Sequence, residues 1–313
     1  MKIVIVGPGA MGCLLAALFI KKGKEEVWLL DNDKERAAGI SQQGLSVEGL
    51  AGNWEVKVKA ASDAREIGEA GLLIVCVKAY DTKSAIKEAR PCIGENTLVL
   101  TLQNGIGNIE IISEVVGNQK VIGGITNLGA TLLDVGKVRF AGKGETVIGR
   151  MDGKIPVEVR SIREIFSNAG LEIRVSRDIK GFLWSKLLIN AGINPLTAIT
   201  RLPNGKLLDF EGTRKILRSA VTEGIKIAKR KRIKLTYDDP LAKVEAVCEA
   251  TSSNISSMLQ DIMNKKPTEI DFINGVIVRQ GEELGIPVPV NSLLVDLVRT
   301  LEQVNKSIAS NRV

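Results

Sequence analysis

The sequence predicts a doubly wound α/β sheet followed by an all-α C-terminal domain, and three observations carry that expectation. Short apolar, β-branched runs alternate with helical patterns through the first half of the chain. A glycine-rich turn joins the first of these runs to the first helical pattern. From about Ser176 the strand-like runs stop and long helical patterns take over, which places a boundary between 1–175 and 176–313.

Lys2–Val6 reads as a buried strand, and Gly7-Pro8-Gly9-Ala10-Met11-Gly12 follows at once, before an apolar helical pattern from Cys13 to Ile20. In this order Gly7 permits the tight turn, Gly9 lets a pyrophosphate approach the backbone, and Gly12 lets helix and strand pack closely. The helix N-terminus then offers free N–H groups to a diphosphate. Residues 1–175 are therefore expected to bind a dinucleotide.

Glu26–Leu30 is the second expected strand, closed by Asp31. An acid there accepts hydrogen bonds from the adenosine ribose and repels a 2′-phosphate, which favours NADH. Lys34 and Arg36 can offset that repulsion, and Asp31 can equally cap a turn before a helix. Leu72–Val77 reads as a central parallel strand ending in Lys78, and Thr97–Leu102 as another ending in Gln103-Asn104-Gly105. Asn104 either presents an amide at the carboxyl edge of the sheet or belongs to an ordinary Asn-Gly turn. Val121–Gly124, Lys137–Phe140, Thr146–Gly149 and Leu171–Val175 are further expected strands, with strands and helices alternating throughout and some antiparallel additions.

In the second half, Gly181–Ala198 reads as a largely buried helix. Lys186, Asn190 and Asn194 recur along it at i, i+4 and i+8 and so share one face. One ammonium and two amides among apolar residues either line a cleft or form a snorkelling lysine with hydrogen-bonded amides at a domain seam. A long amphipathic stretch to about Lys231 follows. Thr251–Met263 is unusually rich in hydroxyls and amides for a helix, and would place Asn254 and Ser257 on one face. Tight helix packing is the competing explanation. Glu269 falls in the first turn of another expected helix, as capping residue or functional carboxylate. A final amphipathic helix is expected from Asn291 to about Lys306.

Composition narrows the chemistry. With 313 residues, 44% hydrophobic and 25% charged, the chain suits two domains with buried cores. Without an apolar run long enough to span a bilayer or a signal-like N-terminus, a cytoplasmic location is expected, with no membrane partner. The four cysteines form no CxxC pair, so neither a metal site nor a disulfide framework is indicated. Cys76 reads as inert packing in a strand, and Cys92, beside Pro91, as an accessible thiol. There is no histidine, so proton chemistry falls to Lys, Glu, Asp, Tyr or Cys. The net charge of +7 attracts anions. The basic run Lys226–Lys234 ends an expected helix, where cations complement the helix dipole, and lacks the aromatic residues of a nucleic-acid surface.

Taken together, the glycine-rich turn, VKAY at 77–80, QNG at 103–105, WSKLLINAGINPLTA at 184–198, NISSMLQD at 254–261 and TEIDFINGVI at 268–277 resemble the ketopantoate reductase family. The resemblance covers nearly the whole chain, in family order and spacing. It implies a Rossmann-type domain, a helical C-terminal domain, an active site in the cleft between them and NAD(P)H-dependent reduction of 2-dehydropantoate to (R)-pantoate. It implies Lys186 as general acid, and Asn104 and Asn190, with Asn194 nearby, as amides ordering substrate and nicotinamide. Asn254 and Ser257 would hold the substrate carboxylate, Glu269 would grip the substrate hydroxyl, and Lys78 would lie near the cofactor. One position departs from the pattern: NADPH-using members typically carry a basic residue where this chain has Asp31.

The residues agree with that chemistry. Hydride addition to a ketone builds negative charge on oxygen, which calls for a proton donor or cation. In a chain without histidine, a desolvated lysine is the best remaining donor. Two other readings stay open, a reductase of another 2-keto or 3-hydroxy acid and a non-catalytic dinucleotide-binding sensor. The expected partner is a small-molecule substrate rather than nucleic acid, and a homodimer is compatible with the sequence.

Overall fold

The computed structural model describes residues 1–50 and 52–310. Its backbone separates into two compact units, one of Met1–Gln103 with Asn108–Ile179 and one of Asn104–Gly107 with Lys180–Val313.

The first unit runs β1 (Lys2–Val6), α1 (Ala10–Lys22), β2 (Glu26–Leu30), α2 (Lys34–Gln43), β3 (Leu45–Gly49), β4 (Trp54–Val56) and β5 (Lys59–Ala61). It continues with α3 (Ala64–Ile67), β6 (Leu72–Val75), α4 (Thr82–Glu88), β7 (Leu98–Thr101), α5 (Asn108–Val116) and β8 (Val121–Thr126). β9 (Gly129–Asp134), β10 (Lys137–Gly142), β11 (Thr146–Gly149), α6 (Val157–Asn168) and β12 (Ile173–Val175) complete it. Eight strands form one sheet in the order β12-β11-β8-β7-β6-β1-β2-β5, in which only the β11–β8 pair is antiparallel.

The unbroken apolar runs have a direct cause. In β1, Ile3 and Ile5 pack in one hydrophobic cluster with α1 and α6, and Val4 and Val6 in a second with α3, α4 and α5. β6 divides in the same way, Leu72 and Ile74 against Leu73 and Val75. Each such side chain, fully removed from water, contributes roughly 1.5–3 kcal/mol. Strands covered on both faces need no polar alternation.

Alternation of strands and helices does not persist through this unit. From Val121 to Gly149 four strands follow one another without a helix, and β10, expected in the main sheet, lies instead in a second sheet of order β4-β3-β10-β9. Cys92 is not an accessible thiol: it is fully buried in the cluster beneath α3 and α4, and its Sγ donates to the Ala64 carbonyl at 3.5 Å. Cys76 follows β6, which ends at Val75 rather than Val77.

In the second unit, α7 (Ile179–Thr200), α8 (Glu211–Arg230), α9 (Pro240–Ala250), α10 (Ser257–Met263), α11 (Asn274–Leu284) and α12 (Pro289–Ser310) pack around two clusters that share α7. Trp184, Leu187, Ala191 and Ala198 enter one cluster, and Leu188, Ile193 and Leu196 the other. α7 and α8 meet at glycines: a Cβ on Gly192 would sit 2.8 Å from Val221 Cγ2, and one on Gly224 2.4 Å from Leu188 Cδ2. Buried on two sides, α7 is left one narrow polar stripe, that of Lys186, Asn190 and Asn194. Among the described residues no helix is long and apolar enough to cross a membrane.

Two helix expectations are corrected here. Thr251–Ser256 is a turn and an extended segment, with α10 starting only at Ser257, so Asn254 and Ser257 do not share a helix face. Thr251 Oγ1 bonds back to the Val247 carbonyl at 2.7 Å, and Ser256 caps α10 by accepting from the Leu259 N–H at 3.1 Å. These hydroxyls close one helix and open the next. Glu269 does not begin an α-helix either. It precedes a single 3-10 turn, Ile270–Phe272, and α11 starts at Asn274.

Candidate active site

In the first unit the glycine-rich turn lies where the strand order reverses, between β6 and β2 on either side of β1. Ligands of such sheets bind at the carboxyl ends of the strands at this point. Gly7, at φ +96°, donates to the Leu30 carbonyl at 2.9 Å, and a Cβ there would lie 2.6 Å from Val77 Cγ1. A Cβ on Gly12 would sit 2.1 Å from the Gly7 carbonyl oxygen, so only glycine lets α1 start this close to β1. A Cβ on Gly9 would meet no atom within 4 Å. Beside Gly9 the backbone is open, and α1 begins at Ala10 with no side-chain cap. Its first N–H groups, those of Ala10, Met11 and Gly12, have no intrahelical acceptor and fit a diphosphate. Pro8 is buried, and its carbonyl accepts from Cys13 Sγ at 3.2 Å.

Asp31, just past β2, is buried and held by Arg36 through Nε and Nη2, each at 2.5 Å, and by the Asp33 N–H at 3.2 Å. Asp33, rather than Asp31, caps α2, accepting from the Arg36 N–H at 3.0 Å. Lys78 is half-buried in the loop after β6.

In the second unit, Glu269 is the centre of a polar group. It is 5% exposed, and Asn104 Nδ2 donates to its Oε2 at 3.5 Å. The loop bearing Asn104 is pinned to the same 3-10 turn by Ile106 N–H donating to the Phe272 carbonyl at 2.9 Å. Gly105 makes that approach possible: its φ is +82°, and a Cβ would fall 2.4 Å from the Phe272 carbonyl oxygen.

Lys186 interacts electrostatically with Glu269. The residue is half-buried, and its ammonium lies deep among protein atoms. Burial pushes its pKa down from 10.5 to about 8, against an upward pull from Glu269. Asn190 is half-buried and Asn194 buried, and neither side-chain amide has a hydrogen-bond partner among the described residues.

The structure thus brings Lys186, Asn104 and Glu269 together. Asn254 and Ser257 are exposed. Their segment is tied to the other end of α7 through Ser256 Oγ and Thr197 Oγ1 at 2.6 Å, and to the turn after α7 through Asn204 N–H, which donates to the Asn254 carbonyl at 3.0 Å. Asn204 is buried and also donates to Thr251 Oγ1 at 2.9 Å. Sequence reasoning passed over Asn274, although an amide in an apolar helical stretch is itself a signal.

Comparison with known proteins places this geometry in a family. The model of the family "Ketopantoate reductase PanE/ApbA" matches residues 3–153, and that of its C-terminal part matches 178–302. The 2-dehydropantoate 2-reductase of Archaeoglobus fulgidus is 38% identical over 302 residues, 96% of this chain and 98% of that protein. The crystal structure of a PanE/ApbA family ketopantoate reductase from Ralstonia eutropha JMP134 superposes with a TM-score of 0.90 at 34% identity, covering 98% of this chain and 100% of that one. D-mandelate dehydrogenase, solved with NADH and anilino(oxo)acetate, also gives a TM-score of 0.90, at 28% identity over 98% of this chain and 99% of its own. With both halves matched and a relative this similar along its whole length, the chain belongs to the ketopantoate reductase family.

Proposed function

We propose that the protein is a 2-dehydropantoate 2-reductase, reducing the ketone of 2-dehydropantoate to (R)-pantoate on the route to pantothenate and coenzyme A. The observation that carries this reading is Lys186, with a pKa lowered to about 8 and Glu269 beside it, in a chain that has no histidine. A nicotinamide dinucleotide, when bound, supplies the hydride. Residues 1–175 act as the dinucleotide-binding domain through Gly7–Gly12, Asp31 and Lys78, and 176–313 as the helical catalytic domain.

Lys186 donates the proton to the carbonyl oxygen as charge builds there. A pKa of about 8 leaves the ammonium mostly protonated at neutral pH, yet more acidic than an ordinary lysine. Glu269 keeps it charged and accepts a hydrogen bond from a substrate hydroxyl. Asn104 steadies Glu269, and the amides of Asn190 and Asn194 orient the substrate. Asn254 and Ser257, accessible at the start of α10, hold its carboxylate. The enzyme acts in the cytoplasm on this small acid and needs neither nucleic acid nor membrane.

NADH is the preferred donor. The Asp31 carboxylate has lone-pair capacity left for a ribose hydroxyl, and its bidentate grip keeps Arg36 from serving a 2′-phosphate.

A second reading, reduction of a different 2-keto acid, is favoured by the similarity to D-mandelate dehydrogenase. Loss of nicotinamide absorbance with ketopantoate and with phenylglyoxylate, each run with NADH and NADPH, tests both readings. Turnover with ketopantoate is expected. Turnover with phenylglyoxylate alone would favour the second reading, and dinucleotide binding without turnover of either would make the protein a sensor.

A further inference from the structure

Pro195 lies inside α7 without ending it. A proline has no N–H, so the carbonyl four residues earlier, that of Ala191, loses its helical donor. In this fold that carbonyl accepts from Asn274 Nδ2 at 3.0 Å. Nδ2 also donates to Asn291 Oδ1 at 2.9 Å, while Asn291 Nδ2 donates to Glu223 Oε2 at 2.7 Å and to the Ala220 carbonyl at 3.0 Å. Both amides are fully buried, and Glu223 additionally accepts the N–H groups of Val290 and Asn291 at 2.9 Å each. Each Nδ2 faces two acceptors, so neither amide can flip without setting oxygen against oxygen.

The chain thereby joins α7, α8, α11 and α12. Its first member matters most, because Asn274 lies five residues after Glu269 and Ala191 lies directly after Asn190. We propose that Asn274 is a positioning residue for the reaction: through the carbonyl that Pro195 leaves open, it pins the segment bearing Glu269 against the helix bearing Lys186, Asn190 and Asn194. The inference rests on the catalytic reading of Lys186 and Glu269. A merely structural role would consist of satisfying the Ala191 carbonyl, whereas the positioning role requires the cross-link itself.

Two variants separate these roles. Asn274→Leu removes the donor, and adding Pro195→Ala returns an N–H for the Ala191 carbonyl within α7. The positioning role predicts that Asn274→Leu lowers both Tm and kcat, the latter roughly 10- to 100-fold, with the KM for NADH unchanged. It predicts that the double variant regains part of the lost Tm, Asn291 Oδ1 still lacking its donor, while kcat stays low. The Lys186 titration midpoint, followed by NMR with 13Cε-labelled lysine, should move upward in both variants as the pinned, desolvated setting loosens. Recovery of kcat together with Tm, or an unchanged kcat and unchanged titration in Asn274→Leu, would overturn the proposal. Should Asn274→Leu not fold, Asn274→Ser, whose shorter hydroxyl can reach at most one of the two acceptors, is read by the same criteria. Absence of ketopantoate turnover in the wild type would sink the proposed function instead, and the Lys186 titration, which needs no substrate, would still decide the role of Asn274.

Discussion

Arg36 clamps Asp31 with two nearly parallel hydrogen bonds, Nε to Oδ2 and Nη2 to Oδ1, both at 2.5 Å. The pair sits at the end of β2, with Asp31 buried and the guanidinium partly open to solvent. The carboxylate immobilises a nearby cation that could serve a 2′-phosphate, and its hydrogen bonds raise the pKa of the Arg36 guanidinium.

Replacing Asp31 with Asn removes the negative charge and half of the clamp while keeping the side chain's shape. The ratio of kcat/KM for NADPH to that for NADH should then rise, by roughly tenfold or more, as one like-charge contact disappears and Arg36 is released. An unchanged ratio would take Asp31 out of cofactor selection.

The pH dependence tests the proposed role of Lys186. With its ammonium as the proposed acid in ketone reduction, kcat should be flat at neutral pH and fall as pH rises through about 8. The reverse oxidation needs the neutral amine and should rise over the same interval. Glu269 raises the pKa of Lys186, so Glu269→Gln should move the descending limb to lower pH besides slowing turnover. Lys186→Ala should cost roughly 10²–10⁴ in kcat. A pH profile of reduction that is flat well above 8 in the wild type would remove Lys186 from the proton transfer.

Gly105→Ala probes the Asn104–Glu269 contact without touching either residue. At φ +82° a Cβ is strained, and here it would also press on the Phe272 carbonyl. Strain of this kind costs roughly 1–3 kcal/mol and is relieved by lifting the loop away from the 3-10 turn. Both Tm and kcat/KM for the keto acid should drop, while NADH affinity, measured by calorimetry, should hold. Wild-type kinetics in Gly105→Ala would show that Asn104 is not needed at this distance from Glu269.

What could be read beforehand follows from how locally each feature is determined. β1 and β6 were legible because both faces of the strand are buried and the sequence is apolar throughout. β3, β4, β5 and β9 were not: LSVEG, WEV, KAA and GATLLD are short or half-exposed, and β3 and β5 are held by pairing with the distant β10 and β2. Lys186, Asn190 and Asn194 announced themselves as polar residues at helical spacing on an otherwise apolar helix. The contact of Asn104 with Glu269 joins positions 165 residues apart, and no local pattern encodes it. Asn254 was assigned to a helix because its neighbours continue a helical pattern, whereas their hydroxyls bond the backbone and break it.

The thiols yield a last prediction, and it opposes the expectation that Cys92 is accessible. Burial pushes the pKa of Cys92 and of Cys248 up to about 11, and those of Cys13 and Cys76 to about 12. The thiolate is the reactive form, and at neutral pH its fraction at such sites is on the order of one in ten thousand or less. The folded protein should therefore resist iodoacetamide and keep its activity, and all four cysteines should react once it is unfolded. Peptide mapping after brief alkylation checks this residue by residue. Rapid labelling of Cys92 in the active, folded protein would mean that α3 and α4 open over it.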